Sequence, residues 1–255
     1  MKAAEFVLNR LRREDGRLLA RYRDGEAAYL AYADDYAFLV WGLIELFEAT
    51  HEPKWLQTAV ELNEEMLRLF WDEEKGGLFF YGHDGEQLFT RPKEIYDGAL
   101  PSGNSAAALN LHKLARYTFN AALAQKADEQ LRAFAGSVER YPSGHALFLI
   151  ALDFAVSAPA EIVIAGDPAR PDTQEMLYEV QRAFLPQALT ILHPAKSEKA
   201  AELAALVPWV QDKSPLGGRA TAYVCENYAC QSPVGDVEEL RELLGTAQAG
   251  EGESD

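Results

Sequence analysis

The sequence predicts a mainly α chain: helical hairpins over residues 1–157, then a small α/β segment over 158–246. Three observations carry this. Apolar residues recur with the helical period through most of the first part. Only three residues separate its second and third helical stretches. From about residue 160, short β-like runs alternate with helical ones.

The first helix is expected over 2–14, with Phe6, Val7 and Leu11 as its stripe and Gly16 as a left-handed stop. The second runs over 34–49. The third starts at Pro53, a good first-turn residue, and runs to about 71. Leu56, Val60, Met66, Leu67 and Phe70 form its apolar face, against Glu61, Glu64, Glu65 and Arg68. Only Thr50, His51 and Glu52 separate the two, which makes an antiparallel hairpin. The fourth helix follows Ser102-Gly103-Asn104, with Ser102 or Asn104 as its cap. Asn120 caps the fifth, over 121–139, and Ser143 the sixth, over 144–156. Three successive α-hairpins stack side by side or curve into a toroid.

An insertion follows the third helix. The runs 78–81 and 87–90 flank Asp84-Gly85, a turn signal, so a β-hairpin is expected at the rim. A calcium loop from Asp72 and Glu74 fails, because its twelfth position is His83. In the second part, strands are expected over 161–166, 188–192 and 220–225, with helices over 172–184 and 197–206. Asp236 and Glu239 form a capping box before Leu240, Leu243 and Leu244. The product is a small parallel or mixed sheet. Residues 247–255 form a polar tail expected to be disordered.

Composition sets the function classes. The 255 residues carry a net charge of −16 and no Lys/Arg-rich run, which argues against nucleic acid. No apolar run reaches the ~18 residues of a membrane span. Met1–Arg13 mixes charged with apolar residues, unlike a secretory signal. Cys225 and Cys230 are the only cysteines, so a reducing cytoplasm is the expected compartment. In one extended strand these two face opposite ways, too far apart to bridge, and read as small buried hydrophobes. The five histidines, at 51, 83, 112, 145 and 193, lack metal-ligand spacing, and no metal or cofactor is expected. Gly166-Asp167-Pro168 follows a strand but matches no phosphate-loop pattern.

Two clusters hold the candidate chemistry. Asp34-Asp35-Tyr36 opens the second helix; acids there suit the helix dipole, and one of them is a candidate general acid or base. The loop from Arg91 to Ser105 is dense in polar groups and suits hydroxyl or anion binding, or else a turn and cap. Asp34, Asp35 and Asp97 are the catalytic candidates. Tyr36, Glu94, Tyr96, Asn104 and Trp71 are the substrate-binding ones, the aromatics as a wall for a sugar ring.

Several runs carry a family resemblance. They are Asp34 to Leu39, Glu45 to Thr50, Phe70-Trp71-Asp72 with Gly76-Gly77, Lys93 to Ser105, and Ala222 to Pro233. Together they resemble the thioredoxin-domain-containing family typified by bacterial YyaL and the mammalian spermatogenesis-associated protein 20. The resemblance implies a partial (α/α) six-hairpin toroid, similar to six-hairpin glycosidases and N-acylglucosamine 2-epimerases. It also implies that the chain corresponds to a C-terminal portion, without the thioredoxin-like domain. Redox activity is therefore not carried over.

The expected function is a carbohydrate-active, glycosidase-like half-toroid with a carbohydrate ligand. The alternative is a non-catalytic module that completes a toroid or docks a thioredoxin-like partner. An epimerase is disfavoured, because no histidine lies in the matching runs. A half-toroid also leaves apolar flanks, so a homo-oligomer or a separately encoded N-terminal half is expected.

Overall fold

The computed structural model describes residues 1–86, 89–157, 160–194, 197–226 and 229–249. Among these the chain is mainly α with a small α/β part. It divides into two compact units: 1–116 with 120–155, and 117–119 with 156–255.

The first unit opens with helix α1, Lys2–Arg10, none of whose residues is buried. It stops at Leu11, short of the expected end, and Gly16 instead turns the chain so that Arg12 bridges to Leu18. Two strands follow that the sequence reading passed over, β1 (Leu19–Arg23) and β2 (Glu26–Leu30). They pair antiparallel across Asp24 and Gly25, whose φ values are 52° and 86°. A two-residue turn with both centres in the left-handed region matches the twist of a hairpin.

Helix α2, Ala33–Thr50, and helix α3, Pro53–Phe70, form the expected hairpin. His51 makes the corner in a left-handed conformation. The buried face of α3 runs through Trp55, Leu56, Ala59, Leu62, Met66, Leu69 and Phe70, so that Leu56, Met66 and Phe70 are buried as expected while Val60 and Leu67 are only half-buried.

The rim hairpin expected over 78–90 is not what the described residues form. Leu78 makes one bridge, to Trp71, and the Phe80 amide donates to Pro92 O. Residues 87 and 88 of the expected second strand lie outside the described residues. Asp84, at the expected turn, is held by Arg17 at 2.8 Å. Helices α4 (Gly103–Thr118), α5 (Ala121–Arg140) and α6 (Ala146–Val156) follow. Asn120 accepts from the Ala122 and Leu123 amides, as a cap should. Among the described residues Ser143 caps no helix: it lies in a short 3₁₀ turn, Pro142–Gly144.

The second unit holds a mixed sheet of four strands in the order β4-β3-β5-β6. They are β3 (Glu161–Ala165), β4 (Leu189–His193), β5 (Thr221–Glu226) and β6 (Ala229–Cys230). β3 is buried along its whole length, the apolar run 162–165 together with Glu161. It pairs parallel with β4 and antiparallel with β5. Helix α7, Pro171–Arg182, forms the crossover from β3 to β4, and α8, Glu198–Leu206, follows β4. Helix α9, Val237–Ala249, extends into the expected tail. Residues 250–255 lie outside the described residues. Ile162, Ile164, Met176, Val180, Val224 and Leu240 are part of one core.

The cysteines contradict expectation. Cys225 and Cys230 are bonded to each other. They do not share one strand: β6 runs antiparallel to β5, with Cys230 directly opposite Cys225. The argument from unpaired cysteines to a reducing compartment falls with that pairing.

Candidate functional site

The carboxylates singled out by the sequence gather around helix starts. Asp97 Oδ1 accepts the Ser102 amide at 2.9 Å. Its Oδ2 accepts the Leu147 and Phe148 amides, at 2.8 and 3.2 Å. One side chain thus holds the starts of α4 and α6. Asp34 Oδ1 accepts the Gly103 amide, at 3.0 Å. Asp34 and Asp97 are therefore brought to adjacent amides at one helix N-terminus, where the dipole favours negative charge. Asp35 turns the other way and accepts the Tyr32 amide at 2.8 Å, closing the first turn of its own helix.

Gly103 makes this approach possible. A Cβ there would lie 2.1 Å from Asp34 Oδ1 and 2.9 Å from Asp34 Cα. Burial raises the Asp34 carboxyl above the usual range; the Gly103 hydrogen bond opposes this, and the charges of Glu94 and Asp35 add to it. Among the described residues, Asp34 Oδ2 makes no hydrogen bond.

The other candidates divide by exposure. Tyr36 is fully buried; its hydroxyl accepts from the Leu18 amide at 2.9 Å and meets Arg17 Nη1 at 3.3 Å. Burial pushes its pKa up to about 12. Asn104 is also buried, and its amide works as a strand partner, accepting from Leu78 N and donating to Leu78 O and Glu94 O. Gln130 donates to it as well. Trp71 is buried beneath Lys126, whose Nζ lies 4.5 Å from its ring centroid. Packing and backbone pairing account for these three. Glu94 and Tyr96 are exposed, and Tyr96 stacks almost parallel on Tyr141 at 6.4 Å. Tyr32 stacks on Phe80 at 4.9 Å.

The sequence reading missed the buried cations. Arg17 is 4% exposed. It binds Asp84, and it donates to Ala31 O and Leu18 O. Lys113 joins α4 to α2 through Glu48, at 3.0 Å. Lys93 pairs with Asp72 at 2.6 Å and also donates to Gly76 O. A lone Arg or Lys carries no spacing signal, so only tertiary structure reveals such pairs. Among the described residues no group of three or more His, Cys, Asp or Glu is placed to hold a metal ion. No described helix is long and apolar enough to cross a membrane.

The fold and this cluster define a class: a helical-hairpin unit with a mixed α/β unit, its helix starts tied by distant carboxylates. Comparison with known proteins shows what it resembles. The chain is 36% identical over 84% of its length to spermatogenesis-associated protein 20 of Homo sapiens, and equally to that of Rattus norvegicus. It is 27% identical over 86% of its length to the uncharacterized protein B0495.5 of Caenorhabditis elegans. It spans only 27% of the human protein and 29% of the nematode one. No protein-family model matches it. Over that stretch the chain is similar to a C-terminal portion of spermatogenesis-associated protein 20.

Proposed function

We propose that this chain is a non-catalytic helical module that completes an (α/α) toroid within a longer protein. The carrying observation is Asp97, whose two oxygens accept three backbone amides from two helix starts. A general acid or base needs an oxygen turned to substrate. In this reading Asp34 and Asp97 anchor helices, and α1, with no buried residue, is the flank that further hairpins of the longer protein cover. Asp97→Ala should lower the melting temperature by several degrees, and no mono- or oligosaccharide in a thermal-shift screen should raise it. A sugar that stabilises the wild-type chain but not Asp34→Asn would overturn the reading.

One observation favours the carbohydrate-active alternative. Asp34 has a raised pKa and an uncommitted oxygen, with Glu94 in its field. Exposed Tyr96 and Tyr141 present stacked rings in the same unit. There Asp34 would be the acid, and Glu94 and Tyr96 would meet sugar hydroxyls. The same thermal-shift screen separates the two.

A further inference from the structure

We infer that the Cys225–Cys230 disulfide is a thiol–disulfide exchange site, attacked by small thiols and dithiols at Cys230. This goes beyond the module proposed above and concerns only the second unit.

The two sulfurs differ in access. Cys225 is 4% exposed within β5, whereas Cys230 is exposed on the two-residue outer strand β6. They also differ in anchorage. β5 is paired with β3 at five positions, from Thr221 opposite Ala165 to Cys225 opposite Glu161. β6 is paired at two. Opening the bond loosens β6 at Cys230, while the Gln231 amide bond to Val224 O and the Ala222–Val234 bridge still hold the chain that follows and β5 stays in place, so the reaction needs no unfolding. Both cysteines line a cavity of about 430 Å³, together with Phe119, Trp209, Glu161 and Lys213. Trp209 stacks on Phe119 at 5.8 Å and donates its indole N–H to Tyr117 O at 3.0 Å. The wall beside the sulfurs is thus a fixed aromatic surface, and the space is that of a small ligand.

The chemistry balances with a dithiol as reductant. Its thiolate attacks Cys230 Sγ; a mixed disulfide forms, the Sγ–Sγ bond breaks, and the electron pair leaves on Cys225 Sγ. Burial of Cys225 within β5 disfavours the thiolate, so that sulfur takes up a proton. The second thiol of the reductant then attacks its own sulfur in the mixed disulfide and releases Cys230. The reductant ends as a disulfide and the chain as a dithiol, with two electrons and two protons transferred.

The test uses the full chain, oxidised and without denaturant, titrated with dithiothreitol. Two thiols per chain should appear while the far-ultraviolet circular dichroism is unchanged. Tryptophan emission should rise as the quenching disulfide beside Trp209 is lost, and Trp209→Phe should abolish most of that rise. Thiols that appear only in denaturant, or reduction that collapses the helical signal, would overturn the inference. Direction is read separately with oxidised glutathione. Cys225→Ser should form the mixed disulfide at Cys230 at least tenfold faster than Cys230→Ser forms it at Cys225. Equal rates, or the reverse order, would overturn attack at Cys230. If either variant fails to fold, the wild-type titration still decides whether the bond exchanges.

Discussion

Two helix starts of the first unit are held differently from those of the second. In the second, α8 is capped by Ser197, which accepts the Ala200 amide, and α9 by Asp236, which accepts the Glu238 and Glu239 amides. Each cap lies within three residues of the amides it serves. In the first, α6 has no such neighbour: its Leu147 and Phe148 amides are held by Asp97, 50 and 51 positions earlier. Helix α4 uses both devices. Ser102 accepts the Ser105 amide, while Asp34 reaches Gly103 across 69 positions. A local cap stabilises one helix; a distant one also fixes where two segments meet.

The largest effect is expected where one side chain serves two helices. Asp97→Ala should destabilise the chain by roughly 3 kcal/mol, since two helix starts lose their acceptor. Urea unfolding measures it; a loss no larger than that of an ordinary single cap would erase the difference between the units.

A local corner in the first unit sharpens the comparison next. His51 is buried, and neither ring nitrogen has a partner among the described residues. Burial lowers its pKa from 6.5 to about 4. Between these values the unfolded chain binds the proton and the folded one does not, so stability falls as pH drops from 6.5 toward about 4. The loss should be roughly 2 kcal/mol once relaxation is discounted. His51→Asn, which tolerates the left-handed corner, should flatten that part of the stability–pH curve.

Ser197→Ala and Asp236→Ala should each cost about 1 kcal/mol and be additive with each other. By contrast, Asp34→Ala and Asp97→Ala meet at adjacent amides, so their double mutant should deviate from additivity by about 0.5–1 kcal/mol. A strictly additive pair would mean that the two anchors act independently.

The same contrast explains what the sequence made legible. Asn120, Ser102 and Asp236 stand next to the helices they cap, and all three were readable. So was the α2–α3 hairpin, whose linker is too short for any other arrangement. Ser143 carried the same signal and misled, because α6 takes its cap from residue 97. The Asp24-Gly25 turn was as strong a signal as Asp84-Gly85, yet among the described residues a hairpin forms only at the first, while Arg17 holds Asp84. The 91–105 loop was readable as a polar cluster at a helix start. That its Asp97 and Asn104 bind backbone depends on partners that no local pattern marks. The cysteine pair was misjudged by assuming one extended strand, where the chain doubles back and makes them neighbours.

The shared carboxylate has a kinetic consequence. The Ser102, Leu147 and Phe148 amides lose their acceptor in a single event, the swing of one side chain. Their exchange with deuterated solvent should therefore be correlated, with a common opening free energy although they belong to two helices. Asp97→Ala should speed all three together and leave the Ala200 amide, held by Ser197, at its original rate.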